Sequence, residues 1–331
     1  MSVLLDGTGH PAGGSRQRGR RLHSQDSRRF RRQPVKIGIV NNMPDSALIA
    51  TERQFARLVR EAAHGPVDIR LFHLPGVPRG EEAQRLLAQR YQPAAKLFET
   101  PIDALIVTGN EPRAPRLDEE PYWPELTQII DWARGNTRAT LWSCLAAHAA
   151  VLHLDGIERR RLAQKKSGVL GCRVNNPTLH RLPAALSVCH SRLNEVPKDE
   201  LLAHGYEVVS EAAGGHVDIF TKHFGSHFLF LQGHPEYASD SLMREYRRDV
   251  GRFLNGLRDD YPQIPEHYFD TETVLRMENY RTLAERSRDF PLFADFPATA
   301  IQSGIEDGMA RSAAAIFESW MAKAAAITEA A

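Results

Sequence analysis

The chain has 331 residues, 42% of them hydrophobic and 25% charged, which is enough to bury a sizeable core. No run of about 18 apolar residues is present, which argues against a membrane span, and the first thirty residues lack the apolar centre of a secretory signal, so the cytoplasm is the expected location. The net charge of +1 conceals an asymmetry, because residues 1–34 hold eight arginines against Asp6 and Asp26. That stretch sits among Gly, Ser and Gln without an apolar period and reads as a disordered basic N-terminal arm for which nucleic acid is not expected as a partner.

From Val35 the pattern changes. VKIGIVNN is a β-branched run followed by the turn-forming Met43-Pro44-Asp45-Ser46. Leu48, Thr51, Phe55, Leu58, Val59 and Ala62 then recur at helical spacing, and Val67 to Leu74 returns to a strand pattern. The alternation continues through a strand at Asp103 to Gly109 and a helix from about Pro124 with Leu126, Ile129, Ile130 and Ala133 on one face. A strand at Arg138 to Ser143 follows, then an alanine-rich helix that begins at Cys144 and ends near Gly156. Tyr206 to Ser210, His216 to Phe220 and His227 to Gly233 read as neighbouring antiparallel strands, followed by a helix over about 239–254. Strands alternating with helices predict an α/β fold built on one doubly wound, mostly parallel sheet, with ligands gathered at the carboxyl ends of the strands. Beyond Tyr268 no strand pattern is seen. The stretch from Met309 to Ile327, with Ala313, Ile316, Trp320 and Ile327 on one face, reads as a helix in a C-terminal extension.

Two constellations lie at strand ends. Cys144 falls where a buried strand turns into a helix, so its sulfur is expected near unpaired N–H groups and the positive helix end, a setting that favours thiolate and stabilises an oxyanion. In GHPEY (Gly233 to Tyr237), His234 and Glu236 are two apart, which in extended backbone projects both side chains to one side. A carboxylate can then orient an imidazole that faces a nucleophile. Cys144, Cys172 and Cys189 are spaced for neither a zinc knuckle nor a disulfide framework, so no metal is expected. His148 and the remaining histidines read as helix-face or surface residues.

At these residues the sequence resembles the homoserine O-succinyltransferase (homoserine transacylase) family. The resemblance rests on the elbow WSCLAAHAA, HSR (His190 to Arg192), GHPEY and YRRDV (Tyr246 to Val250), supported by NNMPD, VTGNEP, PYWPEL and IPEHYFD. It covers about residues 35–270, which gives three expected segments: the arm over 1–34, an acyltransferase domain over 35–270 and a helical extension over 271–331. It implies a class I glutamine amidotransferase-like, flavodoxin-like fold and a ping-pong reaction without metal or cofactor, in which a cysteine takes an acyl group from acyl-CoA and passes it to L-homoserine in methionine biosynthesis. By resemblance Cys144 is the acyl-thioester nucleophile, His234 the proton acceptor and Glu236 its partner; Lys165, Ser191 and Arg248 match substrate-binding positions, and a homodimer is implied.

The sequence departs from the family in places. Leu145 and His148 stand where tryptophan and glutamine are usual, and Asp45 and Ser46 stand near a usual lysine. Arg113 aligns with the acyl-donor determinant. A small residue there goes with succinyl-CoA and glutamate with acetyl-CoA, and the charge of an arginine favours the dianionic succinyl donor. The remaining alternatives are acetyl transfer, serine as acceptor, a glutamine amidotransferase-type hydrolase and a catalytically silent binding protein. The hydrolase is disfavoured by the absence of glycines beside the cysteine.

Overall fold

The computed structural model describes residues 33–175, 179 and 181–326; the N-terminal arm expected over 1–34 and Ile327 fall almost wholly outside them. From Pro34 onward the chain is one compact unit. The first wound segment is β1 (Val35–Val40), α1 (Leu48–Ala62), β2 (Val67–His73), α2 (Glu81–Arg90) and the short β3 (Gln92–Pro93). The second is β4 (Ala104–Val107), α3 (Trp123–Asn136), β5 (Ala139–Ser143) and α4 (Leu145–Asp155). A long hairpin follows, β6 (Arg160–Val174) and β7 (Ala185–Glu195), and then α5 (Lys198–Ala203), β8 (Glu207–Ala212), β9 (His216–His223) and β10 (His227–Leu231). The chain closes with α6 (Ser241–Leu254), α7 (Thr271–Ser287) and α8 (Ile305–Ala325).

All ten strands form one sheet in the order β3-β2-β1-β4-β5-β10-β9-β8-β6-β7. The pairs from β3 to β10 are parallel, and those from β10 through β9, β8 and β6 to β7 are antiparallel. This is the expected mostly parallel α/β sheet. The buried residues of α1 include Leu48, Thr51, Phe55, Leu58, Val59 and Ala62, and those of α3 are Leu126, Ile129, Ile130 and Ala133. Their apolar faces cover opposite faces of the sheet, α3 and α4 joining Val107, Trp142 and Phe230, and α1 joining Ile37, Ile39 and Leu141.

Several elements were not foreseen, among them the β6–β7 hairpin and helix α7. The β6–β7 hairpin escapes periodicity because the inward positions of β7 are Leu186, Val188, His190 and Arg192, an alternation half of which is polar. In β6, Gly168 adopts φ +152° beside the 264–270 segment, where a Cβ would lie 2.3 Å from the Glu266 carbonyl oxygen. That close approach lets the Val169 N–H donate to Glu266 O and the Glu266 N–H donate to Ser167 O. Helix α7 was also missed, although Asp270 is a recognisable N-cap whose carboxylate accepts the Thr273 N–H at 2.7 Å.

The boundary expected at 270 does not divide the fold. Ile316, Phe317 and Trp320 of α8 are fully buried in the cluster that holds α1 and the sheet face, with the Phe317 ring 6.1 Å from that of Phe55. The physical reason is coverage: without α8, the face bearing Leu186, Val188 and Ile219 would lie open. The helix therefore belongs to the core and not to an extension.

Candidate active site

Strand β5 delivers Cys144 into a sharp bend at φ 51°, ψ −112°, a conformation rarely held by a residue with a side chain. Neighbouring backbone holds it there. The Cys144 N–H donates to Leu231 O at the end of β10 at 2.7 Å, and the Cys144 carbonyl accepts from the Ala147 and His148 amides. The thiol is partly exposed, whereas Cys172 and Cys189 are buried, and burial pushes both of the latter well above the usual thiol range. At the first turn of α4 the Leu145 amide has no intrahelical acceptor. Gly109, after β4, lies against it so closely that a Cβ would fall 2.9 Å from Leu145 N. The loop after β4 thus sits beside the amide best placed to receive an oxyanion.

From the end of β10 comes His234, its backbone N–H donating to Cys189 O at 2.7 Å. Its Nδ1 lies 2.8 Å from Glu236 Oε1, both side chains being buried. The ring stacks on Tyr237 with centroids 4.4 Å apart. Burial opposes the imidazolium, but the charges of Glu236 and Cys144, with hydrogen bonding to both, raise the imidazole well above its ordinary value. Among the described residues, Glu236 Oε2 is buried without a hydrogen-bond partner.

One cavity of about 250 Å³ brings together Cys144, His234, Lys165, Ser191 and Arg248, with Glu236 behind the imidazole. Lys165 and Arg248 meet at Asp249. Lys165 Nζ donates to Oδ2 at 3.1 Å and the Arg248 guanidinium donates twice to Oδ1. Burial pushes the Asp249 carboxyl up, but Lys165 and Arg248 outweigh it and hold the group below its ordinary value. Ser191 and Tyr237 both donate to the Glu245 carboxylate, which also lines the cavity.

Arg113 is elsewhere. It lines an adjoining cavity of about 770 Å³ together with Asp45, Ser46 and Arg79, and the two cavities share Pro44, Asn110, Glu111 and Pro112. Glu120 accepts the Arg113 and Ala114 amides at 2.6 and 2.8 Å and so fixes that loop. Asp45 is engaged structurally, accepting from Arg79 and from the Gly80 amide.

His148 departs from the expectation of a helix-face or surface residue. It is 3% exposed, bonded through Nε2 to Gln232 Oε1 at 3.1 Å, and forms part of the cavity wall. Burial, helped by the charge of Arg192, lowers its pKa to about 3, so the ring is neutral. Glu245 and Arg159 are further cavity residues that the sequence reading missed. Glu245 lies one turn before Arg248 on α6, a spacing that would have flagged it. Beneath the site, ligand atoms of Cys172, His190 and Asp218 lie within 4.8 Å of one another. Each already has a partner: Cys172 donates to Leu170 O, the Arg192 Nε–H donates to His190 Nδ1, and Ser210 donates to Asp218. The group reads as hydrogen-bonded support for the strands bearing Ser191 and His234.

Fold and site together define an α/β enzyme with a cysteine at a strand-to-helix elbow, facing a histidine backed by glutamate. The family model for homoserine O-succinyltransferase matches residues 15–327. A protein from Rhodopseudomonas palustris named homoserine O-succinyltransferase is 51% identical over 87% of each chain. One of the same name from Bradyrhizobium japonicum is 45% identical over 97% of this chain and 98% of its own. Among solved structures, the chain is similar to a glutamine amidotransferase from Thermotoga maritima at 11% identity and a TM-score of 0.49, covering 89% of this chain and all of that one.

The chain belongs to the homoserine O-succinyltransferase family, a family of acyltransferases. The match reaches residue 327 and so includes α8, which the resemblance over 35–270 left out. Among the described residues, no helix is long and apolar enough to cross a membrane.

Proposed function

We propose that the protein transfers a succinyl group from succinyl-CoA to the hydroxyl of L-homoserine through an acyl thioester on Cys144. The observation that carries this reading is the shared cavity: a partly exposed elbow cysteine and the His234–Glu236 pair open into the same space as Lys165, Ser191 and Arg248. In the first half-reaction the Cys144 sulfur attacks the thioester carbonyl of the donor. The negative oxygen of the tetrahedral intermediate is met by the Leu145 amide, and CoA leaves as a thiol after taking a proton from His234. In the second, His234 takes the proton of the homoserine hydroxyl as its oxygen attacks the acyl-cysteine, and the Cys144 sulfur is the leaving group. Glu236 keeps the imidazole oriented and supports its positive charge.

Lys165 and Arg248 hold more positive charge than Asp249 neutralises and suit the homoserine carboxylate, while Glu245 suits its ammonium. The adjoining cavity with Arg79 and Arg113 suits the CoA portion of the donor, which is common to every acyl-CoA. A cytoplasmic homodimer working without metal or cofactor belongs to the same reading.

Intact-mass measurement after mixing with succinyl-CoA tests the reading directly. The expected result is one succinyl adduct on the wild type, mapped to Cys144 and discharged by L-homoserine. An adduct elsewhere, or one that homoserine leaves in place, would overturn it.

A further inference from the structure

Four arginine and lysine side chains line the Cys144 cavity: Arg159, Lys165, Arg192 and Arg248. Lys165 and Arg248 are paired with Asp249. Arg192 is buried, and its guanidinium donates to His190, Asn194, Gln232 and Val217. Arg159 differs. Among the described residues, no carboxylate oxygen lies within 4.0 Å of its guanidinium nitrogens, although its neighbours Glu158 and Arg160 are both in ion pairs. The side chain is half-buried, and it also lines a second cavity of about 110 Å³, which shares His148 with the first.

A half-buried guanidinium without a counter-ion is an unfavourable arrangement unless an anion arrives. Burial lowers its pKa, against the opposing pull of Tyr122, Cys144 and Glu120, so the Cys144 sulfur lies within its electrostatic reach. The carboxylates lining the two cavities are engaged by other groups: Glu111 by Arg252, Glu245 by Ser191 and Tyr237, and Asp118 and Glu158 by Arg116. His148 is neutral, and Glu120, whose charge reaches Arg159, accepts the Arg113 and Ala114 amides. A succinyl group on Cys144 carries its free carboxylate two methylenes beyond the thioester carbonyl, and an acetyl group carries none.

Resting on the acyl-transfer reading above, we infer that Arg159 receives the distal carboxylate of a dicarboxylic acyl group held on Cys144, and thereby sets donor preference for succinyl over acetyl. Arg113, which the resemblance aligns with the acyl-donor determinant, is exposed and lines the adjoining cavity instead of the one that holds Cys144, a place that suits the part of the donor that all acyl-CoA molecules share. Bidentate geometry makes arginine the suited residue for a carboxylate, with lysine an inferior replacement.

The test compares kcat/KM for succinyl-CoA and acetyl-CoA in the full-length wild type, Arg159→Met, Arg159→Lys and Arg113→Met. The succinyl-to-acetyl ratio is expected to fall about 100-fold in Arg159→Met and to recover in part in Arg159→Lys. Arg113→Met should lower both rates alike and leave the ratio near that of the wild type. Rates that fall equally with both donors in Arg159→Met would mean that the guanidinium serves the sulfur and not the acyl tail, and would overturn the inference. So would a ratio that collapses in Arg113→Met. Wild type that takes up neither acyl group would instead sink the acyl-transfer reading itself.

Discussion

The two halves of the sheet contribute different chemistry to the cavity. The parallel half, β3 to β5, supplies backbone and nucleophile: the bend at Cys144, the Leu145 amide and the close-lying Gly109. The antiparallel half supplies side chains, with Lys165 on β6 and Ser191 and Arg192 on β7. β10 joins the two and carries His234 at its end. Wound βα units place backbone reproducibly at strand ends, which suits a reacting centre, whereas a hairpin reaching in from the sheet edge is free to vary its side chains and suits recognition. Substitutions in the first half should therefore abolish chemistry, and those in the second should weaken binding of one substrate.

The largest expected effect is on the parallel side. Cys144→Ala should lower acyl transfer by at least about 10⁴-fold and eliminate the adduct seen by mass. A variant with appreciable turnover would mean that the elbow does not hold the nucleophile. At the junction, His148 has a folded pKa of about 3 against 6.5. The unfolded chain therefore binds its proton first, and the stability held above pH 6.5 is lost as pH falls toward 3, by about 4–5 kcal/mol at most. His148→Gln should flatten that slope in urea titrations between pH 7 and 4; parallel curves for the two proteins would refute a neutral buried ring. On the recognition side, Arg248→Met should raise KM for homoserine by about 10- to 100-fold. Formation of the acyl adduct should change much less, as stopped-flow release of CoA would reveal. Equal damage to both half-reactions would erase the proposed division of labour.

How far the sequence could be read follows the same division. The wound half announces itself through local periodicity, and α1 and α3 bury the very positions that their spacing marks. Cys144, His234 and Glu236 were found because short-range rules describe them: a bend after a strand, and two residues on one side of extended backbone. The hairpin half was less legible. His190 and Arg192 occupy buried strand positions whose partners, Asp218 and Gln232, lie far along the chain, so no window of sequence reveals why polar residues belong inside. Lys165, Ser191 and Arg248 entered only through family resemblance. Arg159 was missed because an unpaired cation is defined by what does not surround it, and only coordinates supply that. Helix α8 was recognised as a helix, but its apolar face alone did not identify the sheet surface that it covers.

The torsion angles at Cys144 set durability against turnover. A side chain at φ 51°, ψ −112° costs about 1–3 kcal/mol, a strain that glycine would largely escape. Of two inactive variants lacking the sulfur, Cys144→Gly should thus outlast Cys144→Ala on heating, despite the greater freedom of glycine in the unfolded chain. Selection for heat resistance alone would favour glycine here, and the sulfur is kept at a cost in durability that the reaction demands.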